Sequence, residues 1–423
     1  MSSAPSAILG IDFGTSNSAM AVKTGMGQAD VASRMLMAEA PHTVMPTAIF
    51  FNTEEGRTHF GRDAVARYLE GMEGRLMRSL KSLLGSALMQ EKTVVHGKMV
   101  AYQDIVGMFL RQMATMAQQQ LGYLPSTVVM GRPVHFVDED ASRDQMAQGA
   151  LQQAALAAGF TDVRFQLEPI AAALDYEQRI AQESLVLVVD IGGGTSDFTV
   201  VRLGPDRMAL ADRSSDILAT TGVHIGGTDF DRRLSLHAAM PLLGLGHVGP
   251  SGREVPSAAF HDLSTWHLIQ WLYSPQRMRE VQALRTSYSN TGMHDRLVRV
   301  LKEHWGHRLA NAVEQSKIAV SQANAVQPLD LEWLETALVQ AVSPDDLQQC
   351  LDVLLAQVAE CARQCVQAAG LSVSAIDAIY LTGGSSALHP LRQALLKAFP
   401  DTPQVEGDLF GGVAAGLVHG QAL

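Results

Sequence analysis

The alternation of apolar and polar positions marks a chain of short buried strands and amphipathic helices. Ala7-Ile8-Leu9-Gly10-Ile11 is an unbroken apolar run of strand length. It opens into Asp12-Phe13-Gly14-Thr15-Ser16-Asn17-Ser18, and a return strand is expected from Ala19 to Val22. The pattern comes back far along the chain. Leu185-Val186-Leu187-Val188-Val189 runs into Asp190-Ile191-Gly192-Gly193-Gly194-Thr195-Ser196-Asp197, with a strand from Phe198 to Val201 after it. Two similar hairpins predict two similar lobes. A third apolar strand, Ala378-Ile379-Tyr380-Leu381, meets Thr382-Gly383-Gly384-Ser385-Ser386.

Helical periods fill the intervals. Tyr102 to Leu121 places Ile105, Phe109, Met113 and Met116 close to one face, and Gln145 to Ala158 ends at Gly159 as a helix stop. Residues 241 to 300 are the least regular part and read as an inserted subdomain. Strands alternating with helices predict an α/β fold.

Composition narrows the functional classes. A chain of 423 residues, 47% hydrophobic and 18% charged, is long enough for two or three lobes with substantial cores. A net charge of −11 with no basic run argues against nucleic acid and against an anionic membrane surface as partners. The start, Met1-Ser2-Ser3-Ala4-Pro5, lacks the pattern of a signal peptide, and the longest apolar runs are strand-sized. Cys350, Cys361 and Cys365 are the only cysteines. With no second Cys/His pair beside them they read as reduced helix residues, which predicts a reducing compartment, the cytoplasm.

An Asp at a strand end followed by a glycine turn suits phosphate and metal chemistry. Glycines let consecutive backbone N–H groups face phosphate oxygens. Thr15, Ser16 and Thr195 add hydroxyl donors, and Asp12 and Asp190 can hold hydrated Mg²⁺. Either turn alone could simply close a hairpin. Glu168 precedes Pro169-Ile170-Ala171-Ala172-Ala173, an acidic residue ahead of a small-residue helix, and by itself reads equally as an N-terminal helix charge. Lys81 alone reads as a solvated lysine. Glu314, Lys317 and Ser321 share one helical face, which a surface salt bridge would also explain. Gly244-Leu245-Gly246-His247-Val248-Gly249 imitates a dinucleotide-binding pattern but lacks a leading strand and is followed by Pro250, so a loop is expected.

In this order the motifs resemble the DnaK-type heat-shock protein 70 family, within the actin-like ATPase superfamily. The resemblance spans nearly the whole chain. It runs from the Asp12 hairpin through Lys81 with Leu83-Leu84-Gly85, the strand from Ser126 to Met130 leading to Pro133, and Glu168-Pro169. It continues with the Asp190 hairpin, Ile225-Gly226-Gly227-Thr228-Asp229-Phe230-Asp231, the Glu314-Lys317-Ser321 helix and Leu381-Thr382-Gly383-Gly384-Ser385. Val129-Met130-Gly131-Arg132-Pro133, Phe165-Gln166-Leu167-Glu168-Pro169 and Asp408-Leu409-Phe410-Gly411-Gly412 look most like the YegD-like branch.

The resemblance implies an α/β two-lobed actin-like ATPase fold, each lobe an RNase H-like core with an inserted subdomain. Lobe I would span 1–183, with core 1–40 and 100–183 and an insertion at about 41–99. Lobe II would span 184–402, with core 184–231 and 331–402 and an insertion at about 232–330; residues 403–423 would return to lobe I. It implies ATP and Mg as cofactors, with Asp12 and Asp190 organising Mg²⁺ through water. Gly14, Thr15, Ser16, Asn17, Gly192, Gly193, Gly194 and Thr195 would meet the phosphates. Lys81 would be the catalytic lysine, with Glu168, Asp190, Thr195 and Asp197 in catalysis. Gly226, Gly227, Glu314, Lys317, Ser321, Gly383, Gly384 and Ser385 would line the nucleoside, and Pro133 would be a hinge.

The chain also departs from that family. Ile318 and Ala387 stand where adenine-stacking arginines are usual, and Gln148 where an arginine connects nucleotide state to the interdomain linker, with Arg143 out of register. The sequence closes at Leu423, so a conventional peptide clamp is not expected. The resulting expectation is a slow Mg-dependent ATPase and nucleotide switch, or chaperone-like factor, that presents a surface to an unidentified protein partner. The alternatives are an MreB-type filament protein, a kinase on the same fold, and a pseudo-ATPase scaffold.

Overall fold

The computed structural model describes residues 7–24, 33–137, 140–208, 210, 213–407 and 411–419. The opening Met1 to Pro5 and the Asp408-Leu409-Phe410 wording fall outside the described residues.

Two sheets of one plan carry the two hairpins. In the first, Ala7–Phe13 pairs antiparallel with Asn17–Thr24 and parallel with Thr127–Arg132, which pairs parallel with Asp162–Leu167. Ser33–Met35 extends the antiparallel edge. In the second, Ser184–Ile191 pairs antiparallel with Ser196–Leu203 and parallel with Ala378–Thr382. Ile217–Val223 forms the antiparallel edge and Gln404–Glu406 the parallel one. The internal echo in sequence is therefore an echo in strand order.

These central strands read as continuous apolar runs because both faces are covered. Leu9, Ile11, Phe13, Met20 and Val22 pack with Phe109, Leu110 and Met113 of helix Tyr102–Leu121 on the outer side of the first sheet. Leu187, Val189, Ile191, Phe198 and Val200 face the outer core of the second. The alternate residues Ile8, Ala19, Ala21, Val186, Val188 and Val201 meet in a third core that lies between the lobes. Two helices fill it, Glu168–Glu177 and Gly412–Val418, through Ile170 to Ala173, Ala414 and Leu417. Small residues set their spacing. A Cβ at Gly416 would fall 1.9 Å from the Ala171 carbonyl oxygen, and one at Gly10 would fall 2.7 Å from that of Ala414.

Each lobe bears an insertion. The first carries an antiparallel sheet of Ala48–Asn52, Arg57–Phe60 and Gly74–Arg78 under helix Gly61–Leu69. The second is helical, with Ala258–Leu263, Pro275–Ala283, Thr291–Lys302 and the long Gly306–Ala323.

Local expectations fare well where caps are readable. Tyr102–Leu121 has the expected bounds and ends on Gly122, whose N–H reaches the Gln118 carbonyl and whose φ of 81° turns the following chain out of the helix. The next helix begins at Ala141, earlier than Gln145, because the Asp140 carboxylate accepts from the Arg143 N–H and starts the turn there. Gly244 terminates the short helix Met240–Leu243 at φ 113°, so the Gly244 to Gly249 segment is a loop. Cys361 and Cys365 are free thiols on helix Pro344–Ala368. Among the described residues no helix is long and apolar enough to cross a membrane.

Candidate functional site

The two glycine turns face each other across the cleft. In lobe II, Gly192 donates its N–H to the Thr195 carbonyl and closes the turn at 3.0 Å. The turn's own carbonyls point into lobe II. Gly192 accepts from the Gly227 N–H at 3.0 Å and the Ser385 hydroxyl at 3.0 Å, while Gly193 accepts from the Thr228 N–H and hydroxyl, both at 2.8 Å. In a trans peptide C=O and N–H point opposite ways, so these bonds leave the N–H groups of Gly193 and Gly194 on the other side. Gly226 must be glycine here, since a Cβ would lie 2.6 Å from the Gly193 carbonyl carbon. A Cβ on Gly193 would in turn fall 2.0 Å from Ser16 Oγ of lobe I.

The first turn is just as tight, because a Cβ at Gly14 would meet the Asn17 carbonyl oxygen at 2.1 Å. Thr47, between strands Val44–Pro46 and Ala48–Asn52, braces it. Its hydroxyl donates to the Gly14 carbonyl at 2.8 Å and its N–H to the Ser16 carbonyl at 2.9 Å. Thr15 is half-buried within this turn.

Between the turns sits a carboxylate–lysine cluster. Asp12 and Asp190 end equivalent strands, and Asp190 lies directly opposite Asp197 in the antiparallel register. Lys81 comes from the turn Leu80–Leu83 of the first insertion, and Glu168 is the first residue of its helix. The Lys81 ammonium donates to both Glu168 oxygens, at 2.6 and 2.9 Å, and both side chains are almost closed off from solvent. Gly131 allows this, because a Cβ there would approach Glu168 Oε1 to 3.1 Å.

Three acids around one cation set the electrostatics. Burial and then the Glu168 carboxylate push Asp12 up to about 8, with Lys81 opposing and Asp190 adding to the rise. Burial, Asp197 and Glu168 push Asp190 up to about 7, again against Lys81. Burial alone would lower Lys81, but Glu168, Asp12 and Asp190 outweigh it and hold the ammonium above its ordinary value. The Thr195 hydroxyl donates to Asp197 at 2.9 Å, and a Cβ at Gly383 would fall 2.4 Å from Asp190 Oδ1.

Hard oxygen donors raised by burial first and by mutual repulsion second fit a hydrated divalent cation. Among the described residues no group of three or more His, Cys, Asp or Glu is placed to bind a metal directly. A magnesium ion keeps most of its own waters, so the pair Asp12 and Asp190 suits it without a closed protein cage.

The helix Gly306–Ala323 brings Glu314, Lys317 and Ser321 to the lobe II wall of the cleft. Lys317 pairs with Asp231 at 2.7 Å and donates to the Gly227 carbonyl at 3.3 Å; Ser321 Oγ accepts from the His389 N–H at 2.9 Å. Gly384 opens the turn Gly384–Ala387. Ile318 and Ala387 are both exposed. Pro133 follows strand Thr127–Arg132, and its carbonyl accepts from Arg132 Nε at 3.0 Å. Arg132 also holds Asp144 at 2.9 Å and Gln148, while Arg143 is spent on the Gly85 carbonyl.

Sequence reasoning missed a second layer that closes the cleft. Arg78 lies over the Trp266 ring at 4.5 Å and faces Glu314 and Asp231, with burial lowering its pKa. The Tyr68 hydroxyl donates to Gln270 Oε1 at 2.7 Å and meets His307 Nδ1 at 2.9 Å. The His307 ring stands edge-on to both Tyr68 and Trp266, and burial lowers its pKa to about 4. The signal for Arg78 was its place three residues before Lys81. Ser79, at φ 57°, turns the backbone between them, a left-handed conformation no motif announces.

Comparisons with known proteins agree with this architecture. The model of the family described as Hsp70 protein matches residues 8–242 and 295–416. Similar curated proteins are chaperone proteins DnaK. That of Methanothermobacter thermautotrophicus is 26% identical over 407 residues, 95% of this chain and 56% of the relative. That of Thermosipho melanesiensis is 31% identical over 236 residues, 55% of this chain and 36% of the relative. That of Endomicrobium trichonymphae is 30% identical over 234 residues, 54% and 34%. The chain thus spans about half the length of the first relative and about a third of the other two. With the family model covering both sheets and both glycine turns, the chain belongs to the Hsp70 protein family.

Proposed function

We propose that this protein is a Mg-dependent, slowly turning ATPase whose two lobes change their relation with nucleotide state and so signal to a protein partner. The observation that carries this reading is the Lys81–Glu168 pair set between two Asp-bearing glycine turns. The N–H groups of Gly193 and Gly194, with the hydroxyls of Thr15, Ser16 and Thr195, would hold the phosphate chain of ATP. Asp12 and Asp190 would hold Mg²⁺ through its waters, and the ion would supply charge neutralisation between the phosphates. Lys81 would stand at the terminal phosphate and stabilise the charge that spreads over its oxygens. Glu168 would orient Lys81 and the attacking water, with Asp197 and Thr195 completing the water's surroundings. Water attacks the γ-phosphorus as the bond to the ADP oxygen breaks, giving ADP, phosphate and one proton; positioning and charge are what the protein contributes.

Gly226, Gly227, Glu314, Lys317, Ser321 and the turn Gly383 to Ser385 would line the nucleoside. The relatives' name, chaperone protein DnaK, supports a chaperone-linked role for the partner surface. The deciding experiment is single-turnover hydrolysis of ATP with and without Mg²⁺, wild type beside Lys81→Ala. Hydrolysis that disappears in the variant while nucleotide binding persists supports an ATPase; a wild type that binds nothing under these conditions overturns it.

A further inference from the structure

The helix Glu168–Glu177 begins and ends on a charged residue, and its two ends are tied to different lobes. At the start, Glu168 holds Lys81 of the lobe I insertion. At the end, about 14 Å away for ten residues of α-helix, Glu177 is completely buried. Arg213 Nη1 and Nη2 donate to its two carboxylate oxygens at 2.6 and 2.8 Å, and the Gly204 N–H donates to Oε1 at 2.8 Å. Arg213 Nε continues to Asp216 at 2.6 Å, a second carboxylate with no exposure, which also takes Arg207. Arg207 ends the chain on Glu183 at 2.9 Å. All of these partners flank the outer ends of strands Ser184–Ile191 and Ser196–Leu203, away from the glycine turn.

A buried ion-pair chain is a poor way to gain stability, since apolar side chains of similar volume usually do as well or better. What it supplies is directional, bidentate attachment at one fixed place. Between the two ends, Ile170 to Ala173 pack by apolar contact in the shared core, with Ala171 set close against Gly416. Without its end pinned, such a surface could slide or tilt.

We propose that Glu177, held by Arg213, which Asp216 fixes in turn, is a positioning residue for the reaction. It makes the helix a strut whose far end belongs to lobe II, so that rotation between the lobes is delivered to Glu168 and thence to Lys81. This rests on the ATPase reading of the cleft.

The test sets Glu177→Gln, which keeps shape and an acceptor for Gly204, beside the triple change Glu177→Met, Arg213→Met, Asp216→Leu. Three quantities are read: Mg-ADP affinity, the single-turnover hydrolysis rate, and the separation of a fluorophore pair at the exposed positions Glu54 and Arg279. Glu177→Gln is expected to bind Mg-ADP within two-fold of wild type, hydrolyse at least five-fold more slowly, and show a broader interlobe distance distribution. The triple variant is expected to melt like wild type yet keep the slow rate, which a merely structural role would not produce. A Glu177→Gln rate within two-fold of wild type, or a triple variant that recovers it, overturns the proposal. If wild type does not hydrolyse ATP, the ATPase reading fails, and the distance distribution alone decides the strut. One no broader in Glu177→Gln than in wild type then rejects it.

Discussion

Ser16 of lobe I stands so close to Gly193 of lobe II that a single added carbon on the glycine would lie 2.0 Å from the serine hydroxyl oxygen. The contact joins two turns that are 177 residues apart yet occupy equivalent places in their sheets. Gly193→Ala is therefore expected to wedge the turns apart and weaken nucleotide binding by at least about ten-fold, roughly 1.4 kcal/mol. Pairing it with Ser16→Ala removes the obstructing oxygen and should recover much of the loss. Isothermal titration of Mg-ADP into the single and double variants measures it; equal weakening in both would show that the glycine serves its own backbone instead.

Removing Lys81 takes away the cation that offsets the burial and repulsion of Asp12 and Asp190. Lys81→Ala should lower hydrolysis by about 10² or more, the scale of losing one charge-stabilising group, while nucleotide remains bound. Lys81→Arg should not restore the rate, because the larger guanidinium would fork onto both Glu168 oxygens and spread its charge instead of leaving a compact ammonium at the terminal phosphate. Single-turnover rates beside binding isotherms separate the two effects.

The raised carboxyls also predict a pH signature. The folded protein holds protons on Asp12 and Asp190 that the unfolded chain has released above about 4. Between that point and about 8 the folded state binds more protons, so the cluster's contribution to stability falls as pH rises and levels off above about 8. The two groups titrate as a coupled set. A divalent cation competes with those protons, so the increase in melting temperature on adding Mg²⁺ should be larger at pH 8.5 than at pH 6. Thermal melts at the two pH values check this; an increase that shrinks with pH would place the metal elsewhere.

On the proposed nucleoside wall, Ile318 and Ala387 stand exposed where guanidinium groups could stack. Each missing stack removes about 1 kcal/mol or more, which predicts micromolar or weaker affinity with ATP and GTP bound about equally. Ile318→Arg should tighten ATP by about five-fold. Nanomolar, ATP-selective binding by the wild type would contradict this reading of the wall.

Tyr68 and His307 close the mouth of the cleft from opposite lobes. Tyr68→Ala removes two hydrogen bonds and a ring contact across the gap, so dissociation of a fluorescent nucleotide should speed up by about ten-fold. Hydrolysis of the bound fraction should change little. Stopped-flow displacement measures the first and a quenched time course the second.

The paired hairpins were readable because strand, terminal Asp and glycine turn are all local features, and each repeats. The cap that moved a helix start to Ala141 was nearly readable, since Asp140 is a standard capping residue. The clasp of Tyr68, Arg78, Trp266 and His307 was not. Its members lie 188 or more positions apart across the insertions, and each is an ordinary residue until the lobes close. Glu177 was hidden for the opposite reason: an acid at a helix end looks solvated, and only the returning loop at Arg213 reveals that it is enclosed. Lys81 and Glu168 fell between, visible through the family resemblance but not from their own neighbourhoods.

The close approach of Gly416 to Ala171 and of Gly10 to Ala414 leaves almost no side-chain thickness where the lobes join. If the lobes rotate as proposed, surfaces that meet there have little to climb over and would roll without opening a large void in the shared core. The outer tips of the insertions are the long arms of that lever. A rotation too small to disturb packing at the pivot becomes a large displacement at the mouth, where a partner that grips the two tips would have the greatest mechanical advantage over the bound nucleotide.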